Sequence, residues 1–392
     1  MSYYDVYFDK LNIKCIYFSE NIFGDFIISE LLDYKIEINF NNIKINNINI
    51  NLKNNILKEY KYKNKYVYVI ILNSKLDLES DNLDSLSINN LYNLKDLLII
   101  LSKIRKLPSC NYIVSNVQDY ISSIEEIKNK HLNEETFFRG QYSYKHILIP
   151  SLFRNKNYYN NESNMYMDFK NQYYNELSHK KYIEILTTMQ HYKMPTRLLD
   201  TTSNPLVALY MALDRPEKIK FDLGEVVIMN TEKSNVKYSD SNIITILSSL
   251  SVLETDIKIE LFNVIKKYVE TNDPNVYLNS LAYKKFKAEV CHELPLFDEA
   301  IFDPKVLLKP RHVKVGMINE RIIAQAGSFI LFGLVDYSNI NSDIVDTNTK
   351  ERVFVINRDY ILKQLELLNI NQSSMYPDKD HTAKTITKSY DD

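Results

Sequence analysis

The chain has 392 residues, of which 45% are hydrophobic and 25% are charged, and its formal net charge is −2. This length allows two or three domains with a sizeable core, and the near-neutral charge excludes a globally basic surface of the kind that nucleic acids attract, although a local basic patch stays open. The three cysteines are far apart and odd in number, without CxxC spacing. They predict reduced thiols rather than a disulfide framework or a zinc site. No signal-peptide pattern or membrane-spanning apolar run is present, so we expect a cytoplasmic protein.

Composition divides the chain into two differently built halves. Residues 1–107 contain no proline, no histidine and a single glycine, whereas all seven histidines lie at or after His131. Lys35–Leu52 alternates apolar and polar residues with the period of a strand, and Lys61–Leu72 is rich in tyrosine, valine and isoleucine. Helical spacing of leucines predicts a helix over Leu91–Leu107. We therefore predict a mostly β recognition module over residues 1–107, without a catalytic constellation of its own.

The second half opens with a helix pattern that leads into the stretch FFRGQ. Isoleucines at helical spacing predict a helix over Val117–His131, and Thr136–Phe138 is typical of a short strand with Arg139 and Gly140 at its end. Glycine lets the backbone turn or a ligand approach closely, and an arginine fork can hold a phosphate by two parallel hydrogen bonds. This stretch therefore indicates either a phosphate clamp at Arg139 or a structural arginine in a buried ion pair.

The stretch Gln190–Leu213, QHYKMPTRLLDTTSNPLVALYMAL, is the densest in polar functional side chains. Arg197–Asp200 predicts a short strand with charged ends. Ser203 or Asn204 can then cap a buried helix that has Pro205 in its first turn. Hydroxyl groups ahead of a helix N-terminus suit anionic or hydrogen-bonding ligands. The alternative is a capping cluster with a structural pair between the ends of the strand.

A histidine precedes this cluster and admits two interpretations. His191 can serve as a general base or contact a ribose, or it can be a structural histidine. Three further histidines, His146, His292 and His312, do not have zinc-ligand spacing with it or with one another. We therefore predict no metal site.

Together these motifs resemble the FRG domain family. FFRGQ, PSLFR, QHYKMPTRLLDTTSNPLVALYMAL and RIIAQAGSFILFG occur in the order and spacing of that family, and the ending LLNINQSSMYPDKDHTAKTI is similar to its usual close. The resemblance covers about residues 112–390, a span we take as the domain, and it departs from the family at Thr201, where a tryptophan is common. It implies an α+β protein: the mostly β N-terminal module, then an FRG domain with a mixed sheet and a helical insertion between residues 242 and 304.

A weaker resemblance connects the same motifs with ADP-ribosyltransferases. Their layout has an arginine that holds the phosphates and ribose of NAD, a Ser/Thr segment at the nicotinamide pocket, and a catalytic glutamate on a late strand. Arg139 is similar to the first and Thr201–Ser203 to the second. Gln325 stands where the glutamate is expected, and an amide supplies no negative charge. Three possibilities stay open: Asp200 or another acid serves instead, the fold binds NAD without transfer, or the ligand is another nucleotide.

The resemblances imply a nucleotide-dependent, ADP-ribosyltransferase-like effector that uses NAD, of the kind found in bacterial toxin and phage-defence systems. The alternatives are a non-catalytic module that binds a nucleotide or nucleic-acid phosphate through Arg139 and Arg197, and a metal-independent nuclease built around His191. The target of the effector would be a protein or a nucleic acid, and the N-terminal module would bind a protein partner. The predicted catalytic residues are Arg139, His191, Asp200 and Gln325. The predicted ligand-binding residues are Arg139, Gly140, Gln141, Thr196, Arg197, Thr201, Thr202 and Ser203.

The sequence also makes a geometric prediction. Five polar residues stand in otherwise apolar motifs and are widely separated along the chain. We expect all five to line one cleft: Arg139, His191, Arg197, Asp200 and Gln325.

Overall fold

The computed structural model of the chain describes two sets of residues. Within residues 1–111 it gives the backbone of seven strands. Beyond them it describes residues 112–377, apart from 115, 144–145, 216–223, 317–319, 338–348 and 356–357, and residue 387. The helix predicted over Leu91–Leu107 lies outside the described residues.

The strands of the first 111 residues pair with their neighbours in the chain. β3, β4 and β5 form one antiparallel sheet, and β1, β2, β7 and β6 pair antiparallel in that order. Their bounds are β1 Ser2–Phe8, β2 Ile13–Ser19, β3 Ile36–Asn39, β4 Asn42–Ile45, β5 Ile48–Asn51, β6 Ile56–Tyr62 and β7 Lys65–Leu72.

The strands after residue 111 form a mixed sheet. They are β8 Tyr112–Val114, β9 Glu134–Gln141, β10 Leu198–Thr202, β11 Gly224–Glu232, β12 Val236–Tyr238, β13 Arg311–Lys314, β14 Gly327–Leu331 and β15 Thr349–Val355. Their order is β8-β15-β11-β9-β10-β14-β13-β12. β8 with β15 and β12 with β13 run parallel, and the other neighbours run antiparallel. β6 pairs parallel with β8.

Helices cover both faces of this sheet. The α-helices are α1 Val117–Lys130, α2 Lys156–Asn160, α3 Glu162–Gln172, α4 Tyr174–Leu177, α5 Tyr182–His191, α6 Pro205–Leu213, α7 Asn242–Ser248, α8 Thr255–Thr271, α9 Asn275–Leu278, α10 Leu281–Glu293, α11 Glu320–Ala324, α12 Arg358–Leu367 and α13 Gln372–Met375. Short 3₁₀ helices span Ser151–Arg154, Lys233–Asn235, Ser249–Val252 and Pro304–Leu308. In the described part of the chain, no helix combines the length and apolar character needed to cross a membrane.

The helical insertion lies between β12 and β13, as predicted. Helices α7 to α10 pack there with α5 around buried side chains such as Leu247, Leu261 and Phe286. A second core joins α1, α6 and α12 to β11 and β15; it lies on the same face of the sheet, because Thr202 of β10 pairs with Phe138 of β9. The opposite face is covered by residues 148–159 around Phe137, Leu199 and Val227. This part of the chain is therefore α+β with a mixed sheet, and the fold class predicted from the sequence is confirmed.

Helix α6 lies directly on the strands β9 and β11. A Cβ atom added to Gly140 would overlap the carbonyl oxygen of Ala208 and lie 2.6 Å from the nitrogen of Ala212, and one added to Gly224 would overlap the carbonyl oxygen of Ala212. Gly140 has no positive φ. The prediction that Gly140 ends a strand is wrong, because β9 continues to Gln141; its lack of a side chain is needed for close packing of the helix.

Candidate functional site

The candidate site lies where β9 and β10 separate. Among the described residues, the pair that joins these strands is Thr202 with Phe138. Beyond this pair the carbonyl of Asp200 accepts a hydrogen bond from Nη1 of Arg139 at 2.5 Å instead of a strand partner. A cavity of about 380 Å³ opens there. Such a concave place, with several polar groups converging on it, is where a small-molecule ligand is expected.

The cavity combines cationic, acidic and aromatic side chains. Its arginines are Arg139, Arg154 and Arg321, and its carboxylates are Asp200 and Asp214. Its rings are Phe138, Tyr142, Phe329 and Tyr376, and its other polar side chains are Gln141, His146, Thr187, Gln190, His191, Thr201, Thr202, Gln325 and Ser328. The arrangement suits a ligand that has both an anionic group and a flat ring.

Arg139 is a largely buried cation of the cavity, with a side chain 16% exposed. Its Nη1 lies 3.7 Å from Oδ2 of Asp200, and its Nε has no hydrogen-bond partner among the described residues. Burial lowers the pKa of Arg139 and the nearby charge of Arg154 lowers it further, while Asp200 acts in the opposite direction. A guanidinium remains charged in proteins. Arg139 therefore has both charge and an N–H group to offer an anion.

Arg154 adds a second positive charge beside Arg139. Its Nε and Nη2 donate to the carbonyl of Ile149 at 3.2 and 2.9 Å, which holds the guanidinium in place. Burial lowers the pKa of Arg154, and Asp200 raises it. The two arginines thus share one carboxylate, which leaves an excess of positive charge at this end of the cavity.

Asp200 is held in a fixed orientation although its side chain is 58% exposed. Nε2 of Gln190 lies 3.1 Å from both carboxylate oxygens. Oγ1 of Thr196 donates to Oε1 of Gln190 at 2.5 Å, which fixes the Gln190 amide. Thr196, which the sequence predicted to bind the ligand, is buried outside the cavity lining and positions Gln190.

The opposite end of the cavity is closed by Tyr376. The guanidinium of Arg321 lies 5.2 Å from the centre of the Tyr376 ring, a cation–π arrangement. The Tyr376 hydroxyl donates to Oδ2 of Asp214 at 2.8 Å. Burial raises the pKa of Tyr376, and Asp214 raises it further. The hydroxyl therefore stays protonated and ties the segment after α13 to the C-terminal end of α6.

The Ser/Thr segment joins β10 to β14. Thr201 and Ser328 share a hydrogen bond of 2.8 Å, and Thr202 donates to the carbonyl of Gln325 at 2.7 Å. Both threonines also line the cavity. Ser203, which the sequence predicted to bind the ligand, is exposed and lies outside the lining. The side chain of Asn204 caps α6 by accepting a hydrogen bond from the Leu206 nitrogen at 2.9 Å. The sequence had predicted either Ser203 or Asn204 as this cap.

Gln325 lines the cavity from a turn between α11 and β14. Ala326 follows it with a φ of 44°, the left-handed region. Nε2 of Gln325 donates to the carbonyl of Met375 at 2.9 Å. Glu320 is exposed on α11. Of the described residues that line the cavity, none is a glutamate.

Arg197 lies outside the cavity, so the prediction that it lines the cleft and binds phosphate is wrong. Its side chain is 1% exposed. Its Nε and Nη2 donate to Glu162 at 2.7 and 2.6 Å, and its Nη1 donates to the carbonyls of Phe332 and Gly333. Lys258 also donates to Glu162 at 2.7 Å. Arg197 is the structural arginine, because its polar atoms are used in binding α3 and α8 to the sheet.

The structure brings together four of the five residues predicted to converge: Arg139, His191, Asp200 and Gln325. Gly140 and Gln141 line the cavity with them. Sequence reasoning missed several members, among them Arg154, Gln190, Arg321 and Tyr376. Each of these stands in a motif that the sequence had already singled out, PSLFR, QHYKMP, RIIAQ and SSMYP, but nothing local distinguishes a cavity arginine from a surface one.

The comparisons with known proteins agree with this geometry. Residues 134–220 match the family model of the FRG domain. The chain contains an FRG domain. The match includes β9, α5, β10 and α6, which supply Arg139, His191 and Asp200. Arg321 and Gln325 lie beyond the matched residues. Comparison with curated proteins and with solved structures gave no significant match.

Proposed function

We propose that the cavity of the FRG domain binds a nucleotide diphosphate, with NAD as the leading ligand, and that the chain is an ADP-ribosyltransferase-like enzyme. The observation that carries the proposal is Arg139. It is largely buried, stands beside Arg154, and has an Nε without a hydrogen-bond partner among the described residues. Buried cations are costly unless they are paired, and a phosphate would provide the missing acceptor.

The residues around Arg139 fit the rest of such a ligand. Tyr142 and Tyr376 offer aromatic faces at the cavity wall, and flat bases stack on such rings. Arg321 supplies another cation near Tyr376. The cavity volume of about 380 Å³ lies in the range of small-molecule sites, roughly 300–1,000 Å³.

NAD, when bound, would supply the ADP-ribosyl group: the bond from the ribose carbon to nicotinamide breaks, and nicotinamide leaves with the electron pair. The acceptor forms the new bond and gives up a proton. Asp200 is the carboxylate suited to oppose the positive charge that develops on the ribose, because Gln190 holds both of its oxygens while the side chain stays accessible. His191 is placed to take the proton.

A second candidate is binding of the nucleotide without transfer. Two observations favour it: the described lining contains no glutamate, and the amide of Gln325 is already bound to the carbonyl of Met375. In that case Arg139 and Arg154 hold the ligand, and the protein acts by binding the nucleotide and not by a reaction. We place either activity in a cytoplasmic toxin or phage-defence effector, with a protein or nucleic acid as target, on the resemblance alone.

The test is incubation of the protein with labelled NAD and a cell lysate, followed by separate analysis of protein, nucleic acid and released nicotinamide. Transfer that is lost in Asp200→Asn and in Arg139→Lys supports the enzyme. Binding of NAD without transfer or nicotinamide release supports the second candidate. Arg311→Lys, a half-buried arginine outside the lining, is the matched control and should behave as the wild type. Failure of the wild type to bind any nucleotide would overturn both candidates.

A further inference from the structure

Gln141 is a buried amide in the cavity whose two ends are distinguishable. It is 3% exposed and lines the cavity. Its Nε2 donates to Oε1 of Glu225 at 3.0 Å and to the carbonyl of His146 at 3.2 Å. Both partners are acceptors, so the end of the amide that faces them must be the NH₂ group.

The neighbouring ion pair fixes this orientation. Glu225 is fully buried, and Nη1 of Arg352 donates to its two oxygens at 2.8 and 2.9 Å. A carboxylate held by a guanidinium is ionised and only accepts hydrogen bonds. Rotating the Gln141 amide would set its oxygen against that carboxylate and against the His146 carbonyl.

The remaining atom, Oε1 of Gln141, is a buried acceptor without a hydrogen-bond partner among the described residues. A buried acceptor left in this state destabilises the fold. Gln141 lines the cavity, so a ligand bound there is a candidate source of the missing donor.

Position along β9 indicates which part of the ligand this is. Arg139 and Gln141 are alternate residues of one strand, so they lie on the same side of it, roughly 7 Å apart. If Arg139 holds a phosphate, the group that reaches Gln141 is the one attached to that phosphate. In NAD each of the two phosphates is attached to a ribose, and in ADP the α-phosphate is; ribose hydroxyls are donors.

We propose that Gln141 is a specificity-determining residue that accepts a hydrogen bond from a ribose hydroxyl at Oε1. The inference rests on the proposed nucleotide binding and deepens it, because it says that the cavity distinguishes a ribose from a deoxygenated sugar. A site built around a buried hydrogen bond rejects a ligand that lacks the matching group, since the protein atom then stays unpaired.

The experiment measures the Kd of ADP and of 2′,3′-dideoxy-ADP by calorimetry for the full-length wild type and for Gln141→Met. Methionine has a similar shape but does not supply the amide oxygen. We expect the wild type to bind ADP about 10- to 100-fold more tightly than the dideoxy compound. Gln141→Met should bind both with nearly the same Kd. The exposed Gln172→Met is the control and should keep the wild-type ratio.

Three results would overturn the inference. Equal affinity of the wild type for the two compounds shows that no hydroxyl is recognised. A wild-type ratio retained in Gln141→Met shows that another residue recognises it. No binding of ADP or NAD by the wild type removes the nucleotide site itself, which separates failure of the proposed function from failure of the role of Gln141. If Gln141→Met does not melt cooperatively, Gln141→Asn takes its place, because the shorter amide does not reach the same donor.

Discussion

Arg139 and Arg197 carry the same charge in opposite surroundings. Arg197 uses Nε, Nη1 and Nη2 in hydrogen bonds to Glu162 and to two carbonyls. Arg139 bonds to the carbonyl of Asp200, and its Nε has no partner within the described chain. The first arrangement stabilises the fold, and the second is suited to bind a ligand. The same substitution at both positions separates the two roles.

Arg139→Lys should weaken nucleotide binding at least tenfold and leave the melting temperature almost unchanged. Lysine keeps the charge but loses the planar fork that grips a phosphate with two hydrogen bonds. Calorimetry with NAD and ADP, together with a thermal melt, measures both effects. A variant that binds normally but melts several degrees lower would show that Arg139 is structural.

Arg197→Lys should lower the free energy of unfolding by about 3 kcal/mol, because it breaks up a buried ion cluster. Burial alone would raise the pKa of Glu162, but the charges of Arg197 and Lys258 outweigh burial and hold that pKa below its usual value. Urea unfolding of the two variants side by side is the measurement. Unchanged stability would mean that Lys258 alone suffices to pair Glu162.

His312 is a buried histidine that should make the protein sensitive to mild acid. It is 5% exposed, stacks on Phe137 at 4.5 Å, and neither ring nitrogen has a hydrogen-bond partner among the described residues. Burial lowers the pKa of His312 from 6.5 to about 4. Between these values the unfolded chain binds a proton that the folded chain does not, so stability falls as the pH falls.

The shift corresponds to roughly 3 kcal/mol in the free energy of unfolding. This stability is fully present above pH 6.5 and is lost as the pH approaches 4. His312→Leu should therefore flatten the stability profile across this range while leaving other acid effects in place. Urea midpoints at intervals from pH 7.5 to 4 for both proteins are the measurement. Parallel profiles would show that His312 does not titrate in this way.

At the scale of elements, α6 and the strands beneath it depend on two glycines. Gly140→Ala should destabilise the domain by about 3 kcal/mol, since the new methyl group would overlap the backbone of α6 and a backbone cannot move aside as a side chain does. Gly327→Ala is the matched control, because its Cβ would have its nearest neighbours at 3.5 Å. Thermal melts compare the two. Similar melting temperatures would contradict the packing role of Gly140.

The split between β9 and β10 explains why one short segment supplies so much of the site. The pairing stops at Thr202 and Phe138, so Arg139 on one strand and Asp200 on the other face the same opening. Asp200 is then oriented from α5 by Gln190. The elements β9, β10 and α5 thus set a cation, a carboxylate and its support around one cavity.

For the whole molecule, we predict a division of labour between the two halves. The described residues that line the cavity lie between Phe138 and Tyr376. A fragment of residues 112–392 should therefore bind nucleotide with the affinity of the full chain while losing target selection. Loss of β6 would leave β8 as a sheet edge, which favours aggregation. A cooperative melt of the fragment is thus the first measurement and nucleotide calorimetry the second. A well-folded fragment that does not bind would show that the site needs both halves.

The sequence by itself determined the local features of the FRG domain. Helical spacing and capping chemistry act over a few residues, so α1 and α6, with Asn204 and Pro205 at its start, follow from the pattern alone. The helical insertion was implied by the resemblance to the FRG domain family. The sequence also named four residues that line the cavity, Arg139, His191, Asp200 and Gln325. They stood out because each is a polar side chain in an otherwise apolar motif.

Only the tertiary structure decided what each of those residues does. Arg139 lies in β9 before a glycine, and Arg197 directly precedes β10 and is followed by two leucines. Their difference arises from Glu162, 35 residues away from Arg197. The need for glycine at position 140 arises from the backbone of Ala208, and the orientation of the Gln141 amide is set by Glu225. Charge, burial and hydrogen-bond satisfaction depend on partners that the chain brings together from a distance, and local sequence carries no record of those partners.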